Sequence, residues 1–175
     1  YERERATGLS RSAYLMSKVF VLGVITGFQG LLVGVIGFGR REIPEKGLIL
    51  GHATLLELSL PIMGLGFAAM MFGLIISSLV KTAEKTMPLL VMFAIIQVVF
   101  TGCLFALHGT VGVSEFSYLM PSRWAVAAAG ATLDFNRISP PETAGDNDPL
   151  WNHTVGAWSM DMIALLALGA VCGFF

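Results

Sequence analysis

Four apolar runs, each at least as long as a bilayer's hydrocarbon core is thick, are separated by short charged breaks, at about residues 12–38, 48–80, 87–108 and 155–175. A membrane-crossing helix needs about 20 mostly apolar residues. Lipid offers no partner for a backbone N–H or C=O, so such runs are helical or belong to a closed barrel, and their length selects helices. Composition agrees: 55% of residues are apolar, 13% are charged and the mean hydropathy is +0.74. The expected fold class is an all-α integral membrane protein, a polytopic bundle of about four spans plus a short re-entrant or interfacial helix.

The breaks define the organisation. Gly39–Gly47 carries five charges, a proline and two glycines, which a lipid-facing helix does not tolerate. The run 48–80 is longer than one span needs and holds His52, Glu57 and Pro61 in its first half, so its start is expected at or outside the interface. Lys81–Lys85 is a polar turn, and Pro88 suits the first turn of the next helix. Residues 109–154 bring Pro121, Pro140, Pro141, Pro149 and the acidic stretch Glu142–Asp148, an excursion out of the membrane in which 122–133 forms a short helix with an alanine-rich face. The chain starts at Tyr1 and stops inside an apolar run, and its first eleven residues are polar, so we expect a fragment of one membrane domain rather than a cleavable leader. Four crossings put both ends on one side. Arg3, Arg5, Arg11, Lys81 and Lys85 oppose Arg40, Arg41, Lys46, Arg123 and Arg137, and only the reduced weight of the long loop tilts the balance toward cytoplasmic ends.

Within the spans, Gly23, Gly27, Gly30, Gly34 and Gly37 fall on one helix face, with Gly66, Ala69, Gly73 and Ser77 making a similar stripe in the second. Small residues let helix backbones approach where no hydrophobic drive exists, so both stripes predict helix packing. Glu57 stands about a hydrocarbon thickness from Ser78, near the opposite interface. It reads as an interfacial or helix-capping carboxylate, or as a group in substrate access or proton relay; Asp161, seven residues into the last run, reads the same way. Gln97 and Gln29 lie deep and must pair between helices or line a wet cavity. His52, His108 and His153 have no ligand spacing and predict no metal site; Cys103 and Cys172 read as small packing residues. Asn152-His-Thr154 fits a glycosylation sequon, informative only in a eukaryotic secretory setting. Near-equal acidic and basic counts, 12 and 11, exclude a nucleic-acid partner. No phosphate loop, carboxylate pair or nucleophile with a base occurs, so no catalytic residue is assigned.

Three motifs then appear in order. Glu2-Arg-Glu-Arg-Ala-Thr-Gly-Leu-Ser-Arg-Ser-Ala-Tyr14 precedes the first run, Thr101-Gly102-Cys103-Leu104 closes the third, and Pro121-Ser-Arg-Trp124 follows in the long loop. Their order resembles the second half of a G-type ATP-binding-cassette permease, from its coupling helix into its sixth span, over essentially the whole chain. The likeness is to a bacterial, actinobacterial half transporter with its nucleotide-binding domain upstream. It implies that Glu2, Arg3, Glu4 and Arg5 couple to that domain, that Val91, Ile95, Gln97, Val98 and Leu104 line the translocation pathway, and that 109–154 is external and opens on a re-entrant helix. It further implies a second permease half, an identical chain, as partner in the plasma membrane, ATP and Mg bound outside this segment, and a lipid-like or amphipathic cargo. Cys103-Leu104 departs from the leucine pair of drug-exporting members. A secondary transporter and a membrane-embedded enzyme built on His52 and Glu57 are the alternatives.

Overall fold

The computed structural model describes residues 11–80, 83–104, 107, 110–138 and 148–174. The described elements are α-helices α1 (Arg11–Phe38), α2 (Thr54–Leu79), α3 (Ala83–Val99), α4 (Val113–Ser117), α5 (Pro121–Leu133), α6 (Phe135–Ile138) and α7 (Val155–Phe174), with a 3-10 turn at Pro149–Trp151 before α7. Glu2, Arg3, Glu4 and Arg5, expected to couple to an ATPase domain, lie outside the described residues.

Three helices are long and apolar enough to cross a membrane: α1 over Tyr14–Phe38, α2 over Thr54–Leu79 and α7 over Val155–Gly173. The third apolar run behaves differently. Its helix stops at Val99 rather than near His108, so α3 has 17 residues, about 26 Å of rise. The cause is local: the Thr101 hydroxyl bonds the Val98 carbonyl at 2.9 Å, and Gly102 follows at φ 86°, a left-handed conformation that ends a right-handed helix.

α2 is the shared wall of the bundle, packing against α1, α7, α5 and α3. That explains its sequence, apolar on all sides rather than along one stripe. Its closest seam is with α1, and the seam is uneven. A Cβ added at Gly30 would stand 2.8 Å from the Met63 Cα, and one at Gly34 would stand 2.9 Å from the Ser59 Cα. At Gly27 and Gly23 the nearest atoms are 3.6 and 3.9 Å away, ordinary contact distances, and at Gly37 nothing among the described residues lies within 4 Å. The predicted five-glycine stripe is therefore a close seam at Gly30 and Gly34, an ordinary contact above it and an open end at Gly37. The second stripe divides. Gly66 approaches the Thr26 methyl on α1, Ala69 faces α3, and Gly73 meets nothing. Gly64 instead admits Leu165 of α7.

The long excursion contributes the most buried helix. In α5, Arg123, Ala127, Ala128, Ala131 and Thr132 are among the buried residues, and the small alanines let it lie close against α2 and α7. It ends at Asp134, whose left-handed φ of 55° lets its N–H reach the Gly130 carbonyl.

The uneven seam makes a sharp prediction for the full-length protein in detergent. Gly34→Leu and Gly30→Leu should each cost about 1–3 kcal/mol by overpacking. Gly37→Leu should leave thermal stability at the parent value, and equal losses at all three positions would show that the seam is not where these distances place it.

Candidate functional site

Helix ends generate this site, because each leaves backbone groups that must find partners away from water. The N-terminus of α5 is satisfied by α3. The Ser122 N–H donates to Gln97 Oε1 at 2.9 Å and the Ser122 hydroxyl to the Gln97 carbonyl at 2.7 Å. Gln97 is thus an interhelical partner, and it also borders a cavity of about 390 Å³ between α2, α3 and α5.

One residue further, Arg123 is 1% exposed. Its guanidinium pairs with the Asp148 carboxylate through Nη2, donates from Nη1 to the Thr101 carbonyl at 3.2 Å, and lies over the Trp151 ring at 5.9 Å. Nη1 occupies the space a side chain at residue 102 would need, so Gly102 is required twice, for its φ and for this approach. Asp148 also accepts the Leu150 N–H at 3.1 Å, fixing the turn that leads into α7. Trp124 donates from Nε1 to the Tyr118 carbonyl at 2.7 Å, which binds the segment after α4. Two motifs on which the family resemblance rests, Thr101–Leu104 and Pro121–Trp124, are therefore in contact.

A second buried anchor lies at the other end of α5. Glu57, 0% exposed in the first turn of α2, accepts the consecutive N–H groups of Leu48, Ile49 and Leu50, each at 3.0 Å, and the Thr132 hydroxyl at 2.8 Å. A run of main-chain donors around one anion is a compact nest. Gly47 gives the carboxylate room, since a Cβ there would collide with it. Both Glu57 oxygens are occupied, and His52 is exposed with no hydrogen bond to Glu57 among the described residues. Asp161 is the opposite case: fully buried on α7, with no hydrogen bond to either oxygen among the described residues.

Of the positions the resemblance assigns to a pathway, Gln97 and Val98 border the same cavity. Val91, Ile95 and Val98 are exposed along one side of α3, and Leu104 is exposed in the turn beyond it. Gln97 turns inward to Ser122. Cys103, expected to pack, is exposed, while Cys172 is half-buried. Sequence reasoning did not find Asp148, Thr132 or Ser122 as partners. The only signal was Arg123 itself, a cation inside a Pro-x-Arg-aromatic motif that proved to be buried.

Removing one member of a buried ion pair strands the other, at about 3–5 kcal/mol. Arg123→Leu and Asp148→Leu should each lower thermal stability of the full-length protein by that order, Arg123→Lys should fail to restore it because one ammonium nitrogen cannot occupy the separate places of Nη1 and Nη2, and the double leucine variant should recover part of the loss. Strictly additive single effects would dissolve the pair.

Comparison with known proteins fits this arrangement. The ABC-2 type transporter family matches residues 1–133. Over 172 residues, 98% of the chain, the sequence is 37% identical to the ABC transporter ATP-binding/permease protein Rv1747 of Mycobacterium tuberculosis. The chain spans 20% of that relative's length. No solved structure matches. By the family match and by this relative, the chain belongs to the ABC-2 type transporter family as a membrane domain.

Proposed function

We propose that this chain is permease sequence of an ATP-driven exporter and works as one of two identical halves in the plasma membrane. The observation that carries the reading is the 37% identity, over nearly all of the chain, to a relative named as both ATP-binding protein and permease. The ATPase domain, with its ATP and Mg, would reside elsewhere on the same polypeptide. In this reading the segment 1–11 and the turn 81–85 are cytoplasmic, and 109–154 faces outward with α5 re-entering the bundle.

The charged run Glu2, Arg3, Glu4 and Arg5 is the handle through which nucleotide-driven closure reaches the membrane, and the two halves then exchange inward- and outward-open arrangements. The exposed line Val91, Ile95 and Val98, with Leu104 beyond it, faces the partner half across the pathway, and its apolar chemistry suits a lipid-like or amphipathic cargo. Three buried anchors support the idea of a bundle that moves as a unit: Gln97 to Ser122, Arg123 to Asp148, and Glu57 to Thr132 and the 48–50 turn. Glu57, occupied by four donors, is a structural carboxylate here and not a relay.

Coupling energies of 1–3 kcal/mol correspond to roughly 5- to 150-fold, which sets the size of the test. In the full-length protein, reversing Glu2 and Glu4 together to Lys should cut cargo-stimulated ATP hydrolysis about fivefold or more while basal hydrolysis and membrane insertion persist. Unchanged stimulation in the double variant would remove the coupling role from this segment.

A further inference from the structure

We propose that Arg123, Asp148 and Asp161 form one buried site that binds a single proton, carried by the Asp161 carboxyl. The site depends on how α5, α7 and the turn before α7 pack, not on what the chain transports.

Register on α7 places the third group. Trp158, Asp161 and Leu165 stand three and four residues apart and therefore share one helix face. Trp158 clusters with Ala128 and Ala131 of α5, and Leu165 with Trp124 and Ala125 nearer the start of the same helix. Asp161, between them, is fully buried and feels the charges of both Arg123 and Asp148. Those two are themselves buried and joined as an ion pair.

The inventory of donors sets the protonation state. An ionised carboxylate only accepts hydrogen bonds and, away from water, needs several of them. Glu57 shows how this bundle keeps one, with four donors around it. Asp161 receives none at either oxygen among the described residues. Asp148, by contrast, accepts from Arg123 and from the Leu150 N–H, and both favour its anion. One guanidinium therefore answers one carboxylate, and the second stays neutral by holding a proton, the one cation that needs no cavity. The elements packed against α7 bring no further charge to change this. α2 contributes only Glu57, whose four donors are its own; α5 contributes only Arg123; and the 3-10 turn contributes none beyond the Asp148 that caps it. His153, just ahead of α7, has its Nδ1 on the Ala131 carbonyl.

The cluster also holds an unused donor. Arg123 Nε, like the Asp161 oxygens, has no partner among the described residues. When Asp148 withdraws with the turn it caps, Asp161 gives its proton to water and its anion becomes the counter-ion of Arg123. Buried charge is zero before and after, one guanidinium with one carboxylate, so the proton follows the position of Asp148. The Nη2 and Leu150 contacts are still lost with Asp148, so its removal remains destabilising.

The test is infrared spectroscopy of the full-length protein in lipid nanodiscs at neutral pH, without nucleotide, with isotope-labelled aspartate to identify the carboxyl bands. Parent minus Asp161→Asn should show one carboxylic-acid C=O band that shifts in heavy water. In an Asp148→Asn background the same subtraction should lose that band and gain a carboxylate band, because Asp161 then ionises against Arg123. Asp161→Asn should itself be at least as thermally stable as the parent, since an amide matches the neutral acid in shape and charge. If Asp148→Asn does not fold, Asp148→Ser, which keeps an acceptor for the Leu150 N–H, takes its place. A carboxylate band in the first subtraction, or a marked loss of stability in Asp161→Asn, would mean an ionised Asp161 and overturn the site. An acid band that survives unchanged without Asp148 would overturn the sharing of one proton around Arg123. Because no ATP is present, either failure is separate from that of the coupling experiment.

Discussion

A guanidinium inside an apolar bundle is tolerable only when its charge is answered, and the organisation around α5 follows from how Arg123 meets that requirement, with acceptors for Nη1 and Nη2 but none for Nε among the described residues. Its counter-charge comes from Asp148, 25 residues later, and one of its acceptors is the carbonyl of Thr101, 22 residues earlier. One side chain therefore fixes the turn after α3, the start of α5 and the approach to α7. Gly102 is the other half of the same constraint, since any side chain there would displace the cation. Pairing of this kind adds little net stability over a well-packed apolar core, but losing one partner is costly, so its main effect is to define a single arrangement of the segments it joins.

The opposite end of α5 is fixed by the same chemistry with the sign reversed. Glu57 gathers three main-chain N–H groups and the Thr132 hydroxyl. His153 adds a third tie, its Nδ1 standing 2.7 Å from the Ala131 carbonyl. Between these ends the alanine face of α5 needs no polar help, because its small side chains admit Trp158 and the walls of α2 and α7.

The apolar runs made the helices legible, since length and hydropathy are one-dimensional properties. The glycine face of α1 could be read from its period; which glycines touch α2 could not, because that depends on where the helices cross, and the crossing is set by Ser59 and Met63. The end of α3 was not legible because the apolar run continues past it while the helix stops where Gly102 takes a positive φ, beside which Arg123, twenty-one residues away in sequence, places its guanidinium. Gln97 looked as suited to a cavity as to a helix pair, and it serves at both borders. The Arg123 and Asp148 pairing, like the nest around Glu57, joins groups whose proximity exists only after folding.

The uneven seam between α1 and α2 has a mechanical meaning. α1 is gripped where Gly34 meets Ser59, while toward its start a small gap of about 100 Å³ opens among Leu15, Val19, Met71 and Ile75. From Gly34 back to Leu15 is about 28 Å of rigid rod. Contacts with α2 continue from Gly34 through Gly30 and Thr26 to Gly23, so the slack is confined to the first turns of α1, and the last close glycine contact marks where a displacement of those turns would be taken up.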